Sequence, residues 1–148
     1  MTLRIATVAD SISKLSVSGL TICDIDQIKT VEDKRRSAMI PNVDYISDVA
    51  VQVDSFGADI GKMTVFYTLN YRLLYKPIGT ERTMSIVHFS GLVAMVGLIW
   101  DAFLAIGAIS GCEDLSIANI GNLGLVEDPS GNGWWGCDLG FRVMEFVR

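Results

Sequence analysis

"KMTVFYTLNYRLLYKP", residues 62–77, reads as one long strand with two different faces. From Met63 the odd positions are Met63, Val65, Tyr67, Leu69, Tyr71, Leu73 and Tyr75, a full row of large apolar and tyrosyl groups. The even positions, Lys62, Thr64, Phe66, Thr68, Asn70, Arg72, Leu74 and Lys76, are mostly polar. Successive side chains of a strand point to opposite faces. The odd row is therefore expected to face a core. The even row is expected to face solvent, a lumen or a neighbouring subunit.

A covering layer for the odd row is found in "MSIVHFSGLVAMVGLIWDAFLAIGAISG", residues 84–111, the most apolar stretch of the chain. Phe89, Leu92, Val93, Val96, Ile99, Trp100 and Phe103 recur at steps of three and four, a helical stripe of large residues. Ser90, Ala94, Gly97, Asp101, Ala105 and Ala108 make a second stripe of small residues, against which another backbone can come close. A membrane-spanning helix needs about 20 predominantly apolar residues. The charge-free run here is only Phe89 to Trp100, between His88 and Asp101. No Lys or Arg cluster flanks one end to set an orientation. The segment is expected to be a helix buried on nearly all sides, inside the domain or between subunits.

Outward from these two elements, residues 2–15 read as an amphipathic helix, with Leu3, Val8, Ile12 and Leu15 on one face. Gly19 ends it, and Leu20, Ile22 and Ile25 begin a strand. Residues 29–47 carry charge and Pro41, show no clear period, and read as a long loop or arm. "DVAVQVDSFG" is a strand with Val49, Val51 and Val53 on one face, and it pairs with the 62–77 strand as a hairpin. After the long helix, Leu123 to Glu127 is a strand, "DPSGNG" a turn, and Trp134 to Val147 a second long strand. The expected fold is a single α+β domain over residues 1–148. It is a mainly antiparallel sheet with the N-terminal helix and the long apolar helix packed on one face, in the order α-β-β-β-α-β-β.

The chain has 148 residues and a net charge of −5. It is long enough to bury its own core. Acidic chains do not grip nucleic acid by counterion release. Cys23, Cys112 and Cys137 show no CxxC spacing, so the thiols read as reduced and buried; a Cys112–Cys137 disulfide is open but not required. The N-terminus has no apolar run of a secretion signal.

Catalytic equipment is sparse. His88 is the only histidine. Asp101 lies 13 residues further along the same helix, about 220° around it, so the two do not meet. Asp24, Asp26, Asp44, Asp48, Asp54 and Asp59 have no spacing that specifies an acid–base pair or a calcium loop. The glycines of "NIGNLG" and "SGNGWWG" lack the strand–glycine–helix context of a phosphate loop. No catalytic residue, metal site or cofactor is assigned. The candidates are interface residues instead. Lys34, Arg35 and Arg36 form the one basic cluster, Arg72 lies in the polar row of the long strand, and Asp101 lies in the small-residue stripe. Trp134 and Trp135 point to opposite faces, so one is expected in the core and the other exposed as an anchor, with Trp134 as the interface candidate.

"SFGADIGKMTVFYTLNYRLLYKPIG", the long apolar helix and "GLVEDPSGNGWWGCDLGFRVMEF" together resemble the tail-terminator (tail-completion) proteins of long-tailed bacteriophages. The resemblance implies a virion protein made in the host cytoplasm. It implies a ring, usually of six copies, at the head-proximal end of the tail tube. Such a ring stops tube polymerisation and gives head-completion proteins a docking surface, while DNA passes through the hole without specific binding. The partners are then sister copies, the tail tube protein and a head-completion or neck protein, with no membrane. The alternatives are another neck or tail component, such as a connector or tube-related protein, or a small hydrolase using surface carboxylates.

Overall fold

In the computed structural model, residues 3–22, 36–53, 62–78, 86–106 and 112–147 are described. The elements are α1 (Ile5–Ser13), β1 (Thr21–Ile22), β2 (Ala38–Val53), β3 (Met63–Pro77), α2 (Ile86–Leu104), β4 (Cys112–Glu127) and β5 (Gly133–Val147). The five strands form one sheet in the order β1-β2-β3-β5-β4. β3, the long two-faced strand, is central. It pairs antiparallel with β2 on one side and with β5 on the other, the latter from Met63 opposite Val147 to Pro77 opposite Trp134. Its odd row is the core row: Val65, Tyr67, Leu69, Tyr71 and Leu73 are all buried.

The architecture differs from the one expected. The sheet is mixed and curled rather than mainly antiparallel, and the two helices do not both pack on one face of it. β1 runs parallel to β2, with Thr21 opposite Ala38 and Ile22 opposite Met39. The curl has a local cause in β2 and β4. β2 shifts register between Pro41 and Ile46 and between Ser47 and Ala50. β4 shifts between Cys112 and Asp114, Ile117 and Asn119, and Gly121 and Gly124. Bulges of this kind leave residues unpaired, bend the strand and increase its twist. Asp48 and Asn122 sit at two of these shifts with φ of 53° and 51°, a region that Asp and Asn tolerate better than other side chains. Asn70 on β3 fills one gap: its Nδ2 donates to the Asp44 carbonyl at 2.8 Å and to Ser47 Oγ at 2.7 Å.

The same bulges explain two longer strands. Residues 38–47, expected within a loop, are strand, while 29–35 lie outside the described residues. β4 begins at Cys112, well before the expected Leu123.

The sheet curls around one main core. α1 contributes Val8 and Ile12, and α2 contributes Leu92, Val96, Ile99 and Phe103. Edge-on aromatic contacts cross it, with ring centroids 5.3 Å apart for Tyr45–Tyr71 and 5.5 Å for Tyr71–Phe141; Phe103 of α2 then lies 4.6 Å from Phe141. A smaller cluster of Ala38, Ile40, Leu74, Val126 and Trp134 closes the other face at one end. α1 has no side-chain cap of its own. Its start is held from β5, where Glu145, buried at 1% exposure, accepts the Arg4 amide at 2.6 Å. Burial, and then the Glu145 carboxylate, push the Tyr67 phenol well above its usual range.

Cys112 and Cys137 are both buried thiols. They lie opposite Glu145 and Leu73 respectively, so about 26 Å of strand separates their levels and no disulfide joins them. Burial, helped by Asp138, pushes the Cys137 thiol up to about 12, so it stays neutral and inert.

Candidate functional site

Two surfaces remain once the core is closed. The first is polar and lies on the even face of the sheet. Register places Arg72 of β3 opposite Asp138 of β5. Arg72 Nε donates to Asp138 Oδ1 at 2.7 Å and Nη2 to Oδ2 at 3.1 Å, a forked pair. Arg72 Nη1 reaches the Glu127 carbonyl at 3.1 Å, and Asn122 Nδ2 donates to Asp138 Oδ2 at 2.6 Å. Beside this pair lies an open depression of about 280 Å³, lined by Asn42, Asp44, Ser47, Asn70, Asn119 and Asn122 among others. Among the described residues no group of His, Cys, Asp and Glu is arranged to hold a metal.

Burial alone pushes the Asp138 carboxyl up. The hydrogen bonds from Arg72 and Asn122 and the guanidinium charge outweigh it and hold the carboxyl below the usual carboxylate range. Such a group adds stability above its unfolded pKa, about 3.9, and that contribution is lost as pH falls through the folded value. Unfolding free energy, measured by denaturant titration, is expected to drop as the pH goes below about 4. Asp138→Asn is expected to flatten that acid limb; an acid limb unchanged in the variant contradicts the assignment.

The second surface is apolar. Leu92, Val96, Ile99 and Phe103 make a single buried stripe on α2. Phe89, Val93 and Trp100, expected on the same stripe, are exposed, as are Leu98, Leu104, Ile86 (77%) and Val87 (74%). Only 22% of its most apolar window is buried, so the helix is not enclosed on nearly all sides by its own chain. By length and composition it is the one helix among the described residues able to cross a membrane. Ser90, Ala94, Gly97, Asp101 and Ala105 of the small stripe also face outward. The sheet adds exposed Val43, Ile46, Val49, Val51 and Val53 on β2 and Ile120, Leu123 and Leu125 on β4.

The expected interface residues are scattered. Lys34 and Arg35 lie outside the described residues, while Arg36 is exposed just before β2. Arg72 is tied to Asp138. Asp101 is exposed on α2. Trp134 (2% exposed) and Trp135 (6%) are both buried, so neither is an exposed anchor. The reason for Trp134 is its partner: Nε1 donates to Asp128 Oδ2 at 2.9 Å beneath the β4–β5 turn. His88 is half-buried near the start of α2. Of the surface acids, Asp44 lines the polar depression and Asp48 sits at a bulge, and Asp24, Asp26, Asp54 and Asp59 lie outside the described residues. Asp138, Asn122 and Asn70 were not singled out from sequence. The polar alternation of β3 puts Arg72 on its even row, but only the register brings Asp138 opposite it. No protein-family model matches the chain, and a search of curated proteins finds no match.

Proposed function

We propose that this chain is a structural virion protein that forms a ring at the head-proximal end of a phage tail tube. There it ends tube polymerisation and presents the docking surface for head-completion proteins, with DNA passing through the lumen. The observation that carries this reading is the uncovered apolar surface of α2, β2 and β4. Exposed large apolar residues on this scale mark interaction sites; here they lie on separate elements, β2 towards one side of the sheet and β4 at the other, and a ring subunit needs two different patches, each meeting the other on the next copy. The resemblance of the long strand, the apolar helix and the last hairpin to tail terminators gives the assembly its identity. A net charge of −5 per copy suits a channel through which a duplex slides, because acidic walls repel phosphate.

Virions made without this protein test the reading by electron microscopy. Tails of abnormal length are expected. Tails of normal length contradict it, and filled heads without tails assign the protein to a connector instead. Insertion of α2 into a bilayer is the second reading, favoured by its 19 apolar-rich residues. Purification in soluble form without detergent excludes it.

A further inference from the structure

The sheet has two outer edges. β1 covers only Ala38 and Met39 of β2. Among the described residues no strand pairs with the outer side of β2 beyond Met39 or with the outer side of β4. Each of these strands is 16 residues long. A bare edge is a row of main-chain donors and acceptors that templates pairing with another chain. Natural proteins guard such edges with charged residues, lysine above all, with proline and with bulges. Here Pro41 and the bulges interrupt the edges locally, and the only charges are acidic, Asp44 and Asp48 on β2 and Glu113, Asp114 and Glu127 on β4; neither Ala38–Val53 nor Cys112–Glu127 contains a Lys or Arg. Both also carry outward apolar residues: Val49, Val51 and Val53 on β2, and Ile120, Leu123 and Leu125 on β4.

We propose that neighbouring copies join by main-chain pairing, the open edge of β2 in one copy taking the open edge of β4 in the next. This rests on the ring reading above and names the contact that builds it. Strand direction supports it. From the antiparallel pairs, β2 and β5 run one way and β3 and β4 the other. Rotation about an axis along the strands preserves direction, so β4 of one copy meets β2 of the next antiparallel. The sheet then continues from copy to copy without reversing. A contact between two different edges is heterologous, the kind that gives a ring where the rotation between copies closes. Pairing β2 with β2, or β4 with β4, stops at a dimer.

Two variants separate these outcomes. Val49→Glu with Val51→Glu blocks the β2 edge, and Ile120→Glu with Leu123→Glu blocks the β4 edge. All four positions are exposed, so the subunit fold is expected to persist, and circular dichroism checks it. By sedimentation, wild type is expected to form rings, and each variant alone to be monomeric. Their equimolar mixture is expected to give a heterodimer and nothing larger, because one intact β2 edge meets one intact β4 edge. That heterodimer also proves both variants folded. Rings formed by either variant alone, a dimer of either alone, or a mixture that stays monomeric overturns edge pairing while leaving the ring intact. A wild-type chain that neither forms rings nor adds to tail tubes overturns the ring reading, and the pairing with it.

Discussion

Gly136→Ala is expected to cost the folded chain about 3 kcal/mol and to lower its melting temperature by roughly 10 °C. Gly136 lies on β5 between Leu74 of β3 and Gly124 of β4. A Cβ there would run into the carbonyl oxygen of Leu73, with Val126 Cγ2 at 2.9 Å and the Leu73 carbonyl carbon at 3.0 Å. The Leu73 carbonyl belongs to the backbone of the central strand. It cannot swing aside as a side chain does, so relief must come from shifting the ladder of β3 and β5. Gly97→Ala is the control: on the exposed face of α2 its Cβ would meet nothing within 4 Å, and alanine in a helix interior is expected to stabilise by about 0.5–1 kcal/mol. Urea titrations of the two variants check both signs. A Gly136→Ala midpoint equal to wild type contradicts the close packing of β3 on β5.

Asp128→Ala is expected to destabilise the chain by about 3 kcal/mol, since hydrogen bonds to a charged acceptor contribute about 1.5–3 kcal/mol each and do not simply add. Asp128 is buried at the β4–β5 turn. Its Oδ1 accepts the Ser130 amide at 3.0 Å and the Asn132 amide at 2.9 Å, and its Oδ2 accepts the Trp134 indole. Alanine removes both acceptor oxygens, and with them all three hydrogen bonds, and leaves the indole N–H unpaired in an apolar cluster. Asp128→Asn keeps an oxygen acceptor but not the charge, and its loss is expected to fall between. The comparison by denaturant unfolding separates acceptor from charge. A loss below about 1 kcal/mol for alanine means the turn is held by its backbone bonds alone.

The regular elements were legible because their pattern is unbroken. Seven odd positions from Met63 to Tyr75 alternate without interruption, and "DPSGNG" carries its turn chemistry on its face. The N-terminal helix was legible for the same reason, with Val8 and Ile12 one turn apart and both buried. The first part of β2 and the first part of β4 are hidden by bulges. Each register shift reverses the alternation, so Pro41 to Ser47 shows no period although it is strand. The mixed, curled sheet was hidden too, since a parallel contact as short as Thr21–Ile22 leaves no pattern in sequence. The long helix misled for another reason: apolar composition shows that a surface prefers cover, not which molecule covers it. For the candidate surface, residue type pointed to Arg72, but its Asp138 partner lies 66 positions away, a separation that periodicity does not bridge. Trp134 was misread because the carboxylate that claims it sits six residues back in a turn.

On the ring reading, this chain works through surfaces that meet other copies of itself. Light scattering on the purified wild-type protein, alone and after addition to tail tubes, is the decisive measurement. A closed particle near six times the 16.1 kDa protomer is expected, in solution or on the tube end. A particle of one protomer at every concentration, which also leaves the tubes bare, contradicts it.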